Sequence, residues 1–345
     1  MAWTTTDIPD QRGRTALITG ATGGIGFETA RALAAKGARV VLACRDTGRG
    51  RAAAARIGGH AEVLRIDLTS LASVRKAAAE VHHRYDRLDL LINNAGVMFP
   101  PYARTEDGFE PHFGVNHLGH FALTGLLLDL VEEAPGARVV TVASLTHRLV
   151  RKGGRDERPG SGSERERPGR PGATTAYARS KLANLLFTRE LQRRLAGAGS
   201  RAVALAAHPG VSATGLWGDV PGWLRPVSTV LLRAMSHPPA AAALPVLRAA
   251  TDPRARAGAY LGPDGLAGCR GAPGPAGSSR LSRDTVEQRR LWSLSEELTG
   301  VRYGRPEPGL EPGPGLESGT RPESGPGPES GPGPRPVAGR AGAAR

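Results

Sequence analysis

The sequence predicts an α/β fold: one doubly wound domain with a mostly parallel, seven-stranded sheet and helices on both faces. Three observations lead there. Short, continuously apolar runs alternate with longer helix-like runs between residue 15 and about residue 206, and strands apolar on both faces belong to parallel sheets covered on both sides. A glycine-rich turn, Thr19-Gly20-Ala21-Thr22-Gly23-Gly24-Ile25-Gly26, joins the first strand to the first helix. The chain has 345 residues, 39% of them apolar, enough for one large core.

The elements follow in order. Thr15 to Ile18 reads as a buried strand, and Phe27 to Lys36 as a helix stopped by Gly37. Arg39 to Ala43 is a second strand and Ala61 to Ile66 a third. Ser70 to Tyr85 is helical, with Ser70 as its N-cap. Leu88 to Ile92 is the fourth strand, His112 to Glu132 a long helix, and Ala137 to Val142 the fifth strand. Thr175 to Leu195 is a helix and Ala202 to Ala206 the sixth strand. Folds of this kind bind ligands at the carboxyl ends of their strands.

Two segments stand apart. Residues 148–172 carry eight basic residues against four acids and almost no apolar side chains, so they read as an exposed insert with a net charge of +4. Residues 305–345 hold ten Pro and ten Gly, with five Arg balancing five Glu, the composition of a solvated, disordered tail. The expected organisation is therefore a folded unit over 1–303 and a tail over 304–345.

The net charge of +14 raises the question of nucleic acid. Only four lysines occur, and Arg, Ala, Gly and Pro are enriched together, a pattern of coding bias rather than of a selected basic patch. No nucleic-acid module is recognisable, so no nucleic-acid partner is expected. The two cysteines, Cys44 and Cys269, cannot build a disulfide framework, which favours a reducing compartment. The polar start lacks a signal peptide and no apolar run nears the ~18 residues of a membrane span, so a cytoplasmic location is expected. No Cys or carboxylate stands at zinc spacing beside His82-His83 or His117 and His120, so no metal is expected.

The glycine-rich turn sits where backbone N–H groups and a helix N-terminus can meet a phosphate. The end of the second strand, Ala43-Cys44-Arg45-Asp46, bears on which dinucleotide binds. An acid there suits a ribose 2′-hydroxyl, and an arginine suits a 2′-phosphate. Arg45 favours NADP(H), and Asp46 keeps NAD(H) open.

Further marks appear in order along the chain. Asp67-Leu68 follows the third strand, Asn93-Asn94-Ala95-Gly96 follows the fourth, and Ser144 closes the fifth. Tyr177-Ala178-Arg179-Ser180-Lys181 supplies a Tyr-x-x-x-Lys pair, and Pro209-Gly210 with Thr214 follows the sixth strand. With the turn spacing Thr-Gly-x-x-x-Gly-x-Gly, residues 12–303 resemble the short-chain dehydrogenase/reductase family of classical type. Ala43 to Asp46, Asp67 to Leu71, Val115 to Phe121, Ser180 to Asn184, and Leu291-Trp292 through Val301 resemble its retinol-dehydrogenase-like branch, which includes bacterial members.

That resemblance implies a Rossmann-type fold, a nicotinamide cofactor and interconversion of an alcohol with a ketone or aldehyde. It implies cofactor contacts from Gly20, Thr22, Gly24, Ile25, Gly26, Asp67, Leu68, Asn94, Ala95, Gly96, Tyr177, Lys181, Pro209, Gly210 and Thr214. It gives Ser144 the substrate oxygen, Lys181 the nicotinamide ribose and Asn116 a water linking Lys181 to solvent. Tyr177 and Lys181 are one helical turn apart, so the ammonium can approach the phenol and lower its pKa from ~10. Tyr177 then donates or removes the proton at the substrate oxygen. The segment Val211 to His237, with Leu216, Trp217, Trp223, Leu224, Val230, Leu231 and Leu232, suggests a lipophilic small-molecule substrate. NAD(H)-dependent oxidation of a polar metabolite, or a non-catalytic dinucleotide-binding scaffold or sensor, are the alternatives. A homo-oligomer is possible on family grounds.

Overall fold

The computed structural model describes residues 2–100, 103–150, 171–210 and 238–304, all within one compact unit, Met1–Pro308. Most of the Arg-rich insert, the whole of 211–237 with Thr214, and the tail from 305 lie outside the described residues.

The described chain runs β1 (Thr15–Thr19), α1 (Gly24–Ala35), β2 (Arg39–Cys44), α2 (Thr47–Ile57), β3 (Ala61–Arg65), α3 (Leu71–Arg84) and β4 (Leu90–Asn93). It continues with α4 (Pro111–Phe113), a π-helical turn (Gly114–Leu118), α5 (Gly119–Leu126), α6 (Leu128–Glu133), β5 (Arg138–Val142), α7 (Pro171–Gly197) and β6 (Val203–Ala207). It closes with α8 (Pro239–Thr251), β7 (Tyr260–Gly265), β8 (Arg270–Pro275) and α9 (Thr285–Thr299). The sheet order is β3-β2-β1-β4-β5-β6-β7-β8, parallel from β3 to β7.

Alternation within the strands builds two cores. Leu17, Val41, Leu91, Val139 and Ala204 point to one face, where α3, α5, α7 and α9 contribute Val81, Phe121, Phe187 and Trp292. Their neighbours Ile18, Leu42, Ile92, Val140 and Leu205 point to the other, against Phe27 and Leu33 of α1 and Val246 of α8. The register pairs Leu17 with both Val41 and Leu91, so the strand ends after β1, β2 and β4 come level. The chain reverses from β1 outward in both directions, and the gap at that switch point is where a ligand can enter.

Three expectations are corrected. The sheet has eight strands, not seven. β8, Arg270-Gly-Ala-Pro-Gly-Pro, pairs antiparallel with β7 at the sheet edge. Its two prolines are tolerated only there, and they hide the strand from any apolar pattern. The helix expected over 112–132 is broken into four pieces. Gly119 N–H bonds to Gly114 O, five residues back, and a Cβ on Gly119 would lie 3.0 Å from Leu68 O, so the helix widens as it presses on the loop after β3. Finally, helix α2 adds an element between the second and third expected strands. Asp46 caps it by accepting from Arg49 N at 3.0 Å, and Gly58 at φ +72° ends it.

Candidate active site

The strand ends of β1, β2 and β4 enclose a cavity of about 420 Å³. Its floor is the glycine-rich turn. Gly20 has φ +68°, and its Cβ would lie 2.9 Å from Ala95 Cα. A Cβ on Gly26 would lie 2.5 Å from Asn94 Nδ2 and 2.6 Å from Gly20 O. Both positions therefore require glycine for the turn to close against the loop after β4. Gly23 caps α1 without any side-chain hydrogen bond, which leaves the first N–H groups of that helix open to an anion.

Most of the expected cofactor residues line this cavity: Gly20, Thr22, Ile25, Gly26, Arg45, Asp67, Leu68, Asn94, Ala95 and Gly96. Gly24 does not line it, and Gly23 stands in its place. Asp67 Oδ1 accepts from both N and Oγ1 of Thr69, at 2.9 and 2.8 Å, which stiffens the loop after β3. Arg49, Thr69, Val97 and Val115 also line the cavity, and sequence reasoning misses them. Arg49 lies four residues after Arg45, and the signal that could have found it is the capped start of α2. Asp46 lines the rim too, but its carboxylate accepts from the Arg49 backbone.

Beyond this cavity, α7 passes the carboxyl ends of β4 and β5. The buried Lys181 donates from Nζ to Val142 O at 3.1 Å, and Asn184 Nδ2 reaches the same oxygen at 3.0 Å. Lys181 Nζ is 5.6 Å from the centre of the Tyr177 ring. Asn116, fully buried on the π-helical turn, accepts from Val97 N at 2.7 Å and donates from Nδ2 to Val97 O at 3.1 Å and Ser180 Oγ at 3.0 Å. Ser180 Oγ in turn donates to Tyr177 O at 2.8 Å. Ser144 ends the run after β5 and caps a 3₁₀ turn, accepting from Thr146 N at 3.3 Å. Ser144, Tyr177, Lys181 and Asn116 thus converge from three elements separated in sequence.

Electrostatics departs from expectation at Tyr177. Burial raises its pKa above the ordinary phenol value, and a hydrogen bond with the Ser144 side chain opposes that only in part. The Lys181 ammonium is turned to Val142 O, and its own pKa is pulled down to about 8 by burial. The protein by itself therefore holds a neutral phenol beside a partly destabilised cation.

Other residues fall outside this centre. His208 is buried, accepts from Gly210 N at 3.2 Å and packs on Tyr260 at 5.0 Å, and burial pulls it down to about 3. Pro209 and Gly210 end the described segment after β6. His82 binds Asp129 at 2.9 Å on the surface. Among the described residues, no three His, Cys, Asp or Glu side chains gather at metal-ligand distance.

Residues 14–153 match the family described as short chain dehydrogenase. Retinol dehydrogenase 13 of Homo sapiens is 40% identical over 304 residues, 84% of this chain and 85% of the human protein. The chain belongs to the short-chain dehydrogenase family. Retinol dehydrogenase 12 of Mus musculus is 48% identical over 204 residues, although that match spans only 61% of the mouse protein and 58% of this chain. Among solved structures, an uncharacterized protein from Mycobacterium Paratuberculosis is 42% identical with a TM-score of 0.71, covering 88% of this chain and 99% of that one. An active-site complex of RhlG with NADP from Pseudomonas aeruginosa is 25% identical with a TM-score of 0.54, covering 72% of this chain and 94% of that one. This short-chain dehydrogenase is therefore retinol-dehydrogenase-like in sequence and an NAD(P)-dependent oxidoreductase by family. No helix among its described residues is long and apolar enough to cross a membrane.

Proposed function

We propose that this short-chain dehydrogenase uses NADP(H) to interconvert a lipophilic alcohol and its ketone or aldehyde, with Tyr177 as proton donor and acceptor. The observation that carries the reading is the convergence of Tyr177, Ser144 and Lys181 beside a cavity shaped for a dinucleotide. The open N-terminus of α1 would hold the pyrophosphate, and Asp67, Leu68, Asn94, Ala95 and Gly96 would line the path from adenine to nicotinamide. Pro209, Gly210 and Thr214 would border the nicotinamide. When bound, the nicotinamide supplies the hydride for reduction or accepts it in oxidation.

The chain's own residues handle the proton. Ser144 holds the substrate oxygen beside Tyr177, whose neutral phenol donates to that oxygen in reduction. Lys181, charged at neutral pH, compensates the phenolate left behind and binds the nicotinamide ribose. Asn116 commits both Nδ2 protons to Val97 and Ser180 and one Oδ1 lone pair to Val97 N, so a water that it orders would donate to the second Oδ1 lone pair or to its main-chain carbonyl.

For NADP(H) over NAD(H), the support is the pair Arg45 and Arg49 at the cavity rim, with the Asp46 carboxylate turned to the α2 backbone. A guanidinium pair suits a 2′-phosphate. The named substrate of the relatives, retinol, is a lipophilic alcohol, which agrees with the apolar composition of 211–237. The folded catalytic unit comprises residues 1–303, with 304–345 as an appendage, in the cytoplasm.

The test is turnover. NADPH should be oxidised with apolar ketones or aldehydes, followed by loss of reduced-nicotinamide absorbance. Tyr177→Phe should lower kcat about 100-fold or more, with NADPH affinity kept; full activity in that variant removes Tyr177 as proton donor. Arg45→Ala should weaken NADPH roughly tenfold or more and leave NADH nearly unchanged. Equal losses for both would withdraw Arg45 from the 2′-phosphate.

A further inference from the structure

One buried imidazole lies between the dinucleotide cavity and the catalytic helix. His120, 1% exposed on α5, places Nδ1 3.0 Å from Asn116 O and Nε2 2.8 Å from Thr19 Oγ1. A carbonyl oxygen can only accept, so the Nδ1 position carries the proton. Burial and the nearby Lys181 outweigh the Asn116 bond and pull the ring down to about 4, so it is neutral and Nε2 keeps its lone pair. The Thr19 hydroxyl must then donate to Nε2.

Thr19 is already committed as an acceptor. Its Oγ1 receives Asn94 N at 2.9 Å and Ala95 N at 3.0 Å, the two N–H groups that set the loop after β4 along the cavity. The polar groups between that loop and Asn116 are thereby paired, in one direction: Asn94 and Ala95 N–H to Thr19, Thr19 O–H to His120, His120 N–H to Asn116 O. From Asn116 the path continues through Nδ2 to Ser180 Oγ and from Ser180 to Tyr177 O. His117, three residues earlier, offers the contrast. Its ring stacks on Phe113 at 5.1 Å and bonds Ser295 Oγ at 2.8 Å, inside the aromatic core and away from the cavity.

We propose that His120 is a positioning residue that locks the cofactor-binding loop after β4 to the Asn116 turn and, through it, to the helix that carries Tyr177 and Lys181. The inference rests on the roles proposed above for those two residues. Its chemistry needs a side chain that donates at one end and accepts at the other, in a buried site where an unpaired group is costly.

Asparagine and glutamine separate the two ends. In His120→Asn the amide can reach only the Nδ1 position, so Asn116 O keeps a donor while Thr19 loses its 2.8 Å acceptor and is left with Ile92 O at 3.4 Å. In His120→Gln the amide reaches the Nε2 position and Asn116 O loses its donor. The expected result is a split: NADPH affinity, read by fluorescence titration without turnover, falls about tenfold in His120→Asn, and kcat falls about tenfold in His120→Gln, each variant changing the other quantity less. Nitrogen-15 NMR of the His120 ring in the parent protein should show the neutral Nδ1–H tautomer at neutral pH.

Loss of thermal stability with unchanged kcat and NADPH affinity, equal losses in both quantities for both variants, or an Nε2–H tautomer would each overturn the proposal. If the parent protein turns over no carbonyl, the functional reading fails instead. The tautomer and the NADPH titration then still decide whether His120 holds the loop.

Discussion

Lys181 is buried, and its ammonium donates a hydrogen bond to the Val142 carbonyl. Its pKa falls from the ordinary 10.5 to about 8. The sign follows from linkage: the unfolded state keeps its proton to higher pH, so stability rises with pH between about 8 and 10.5. Below pH 8 the folded protein carries a penalty on the order of 3 kcal/mol. Lys181→Met should therefore raise the melting temperature of the cofactor-free protein at pH 7, with the gain fading toward pH 10.5, while turnover is lost. Val142 O keeps Asn184 as donor in that variant. A methionine variant less stable than the parent at pH 7 would contradict this account. Tyr177 fits the same reasoning: burial favours its neutral form, the form needed to donate a proton in reduction.

Helix α2 shows how a short element can decide a specificity. It begins at a cap, Asp46, and brings Arg49 to the cavity rim beside Arg45. Read as isolated letters, Asp46 competes with Arg45 for the ribose. On the helix, its carboxylate satisfies a backbone N–H that would otherwise be unpaired. Asp46→Ala should cost about 1 kcal/mol in stability by denaturant melts. The preference for NADPH over NADH should survive, with some loss of NADPH affinity as Arg49 loosens. A selective loss of NADH affinity instead would mean that Asp46 reads the ribose hydroxyl. The π-helical turn at Gly114–Leu118 is the second such element. Its wide turn brings Asn116 within reach of both Val97 and Ser180.

At the scale of the molecule, the chain after α9 closes the core beneath the site. Tyr303 donates to Phe121 O at 2.7 Å and packs edge-on against Trp292 at 4.4 Å, while Phe121 packs against Phe187 at 5.6 Å. Gly125 has no room for a side chain because Tyr303 Cε2 would lie 2.6 Å from its Cβ. Tyr303→Ala should remove about 3–5 kcal/mol, measured by denaturant unfolding. Phe121 sits on the same helix as His120, so a loss of NADPH affinity should accompany it. A change below about 1 kcal/mol would show that this aromatic cluster can collapse around the cavity. The positive charge is spread over several roles: Arg45 and Arg49 line the cavity, Arg194 lies 4.4 Å over the Trp292 ring in this cluster and pairs with Glu190, and others pair on the surface, as Arg31 does with Glu28.

Local pattern makes much of this protein legible in its linear order. The strand-turn-helix around Gly20 to Gly26, the capped helix after Ser70, the Arg45 position and the Tyr177–Lys181 pair each depend on residues within one or two turns of each other. Such spacings need no distant partner, and they suffice to place the family and the alternating sheet. The tertiary structure decided what depends on distant partners. The edge strand β8 exists because β7 offers it hydrogen bonds, despite its prolines. Arg49 joins the site because α2 docks beside β3. The burial that shifts Lys181 and Tyr177 comes from packing among β5, the π turn and α7, and no neighbour in sequence signals it. The link from Thr19 to His120 to Asn116 closes across 101 positions between its first two members. Covalent neighbours determine periodicity and turns, whereas desolvation and hydrogen-bond pairing are set by whatever the folded chain brings alongside.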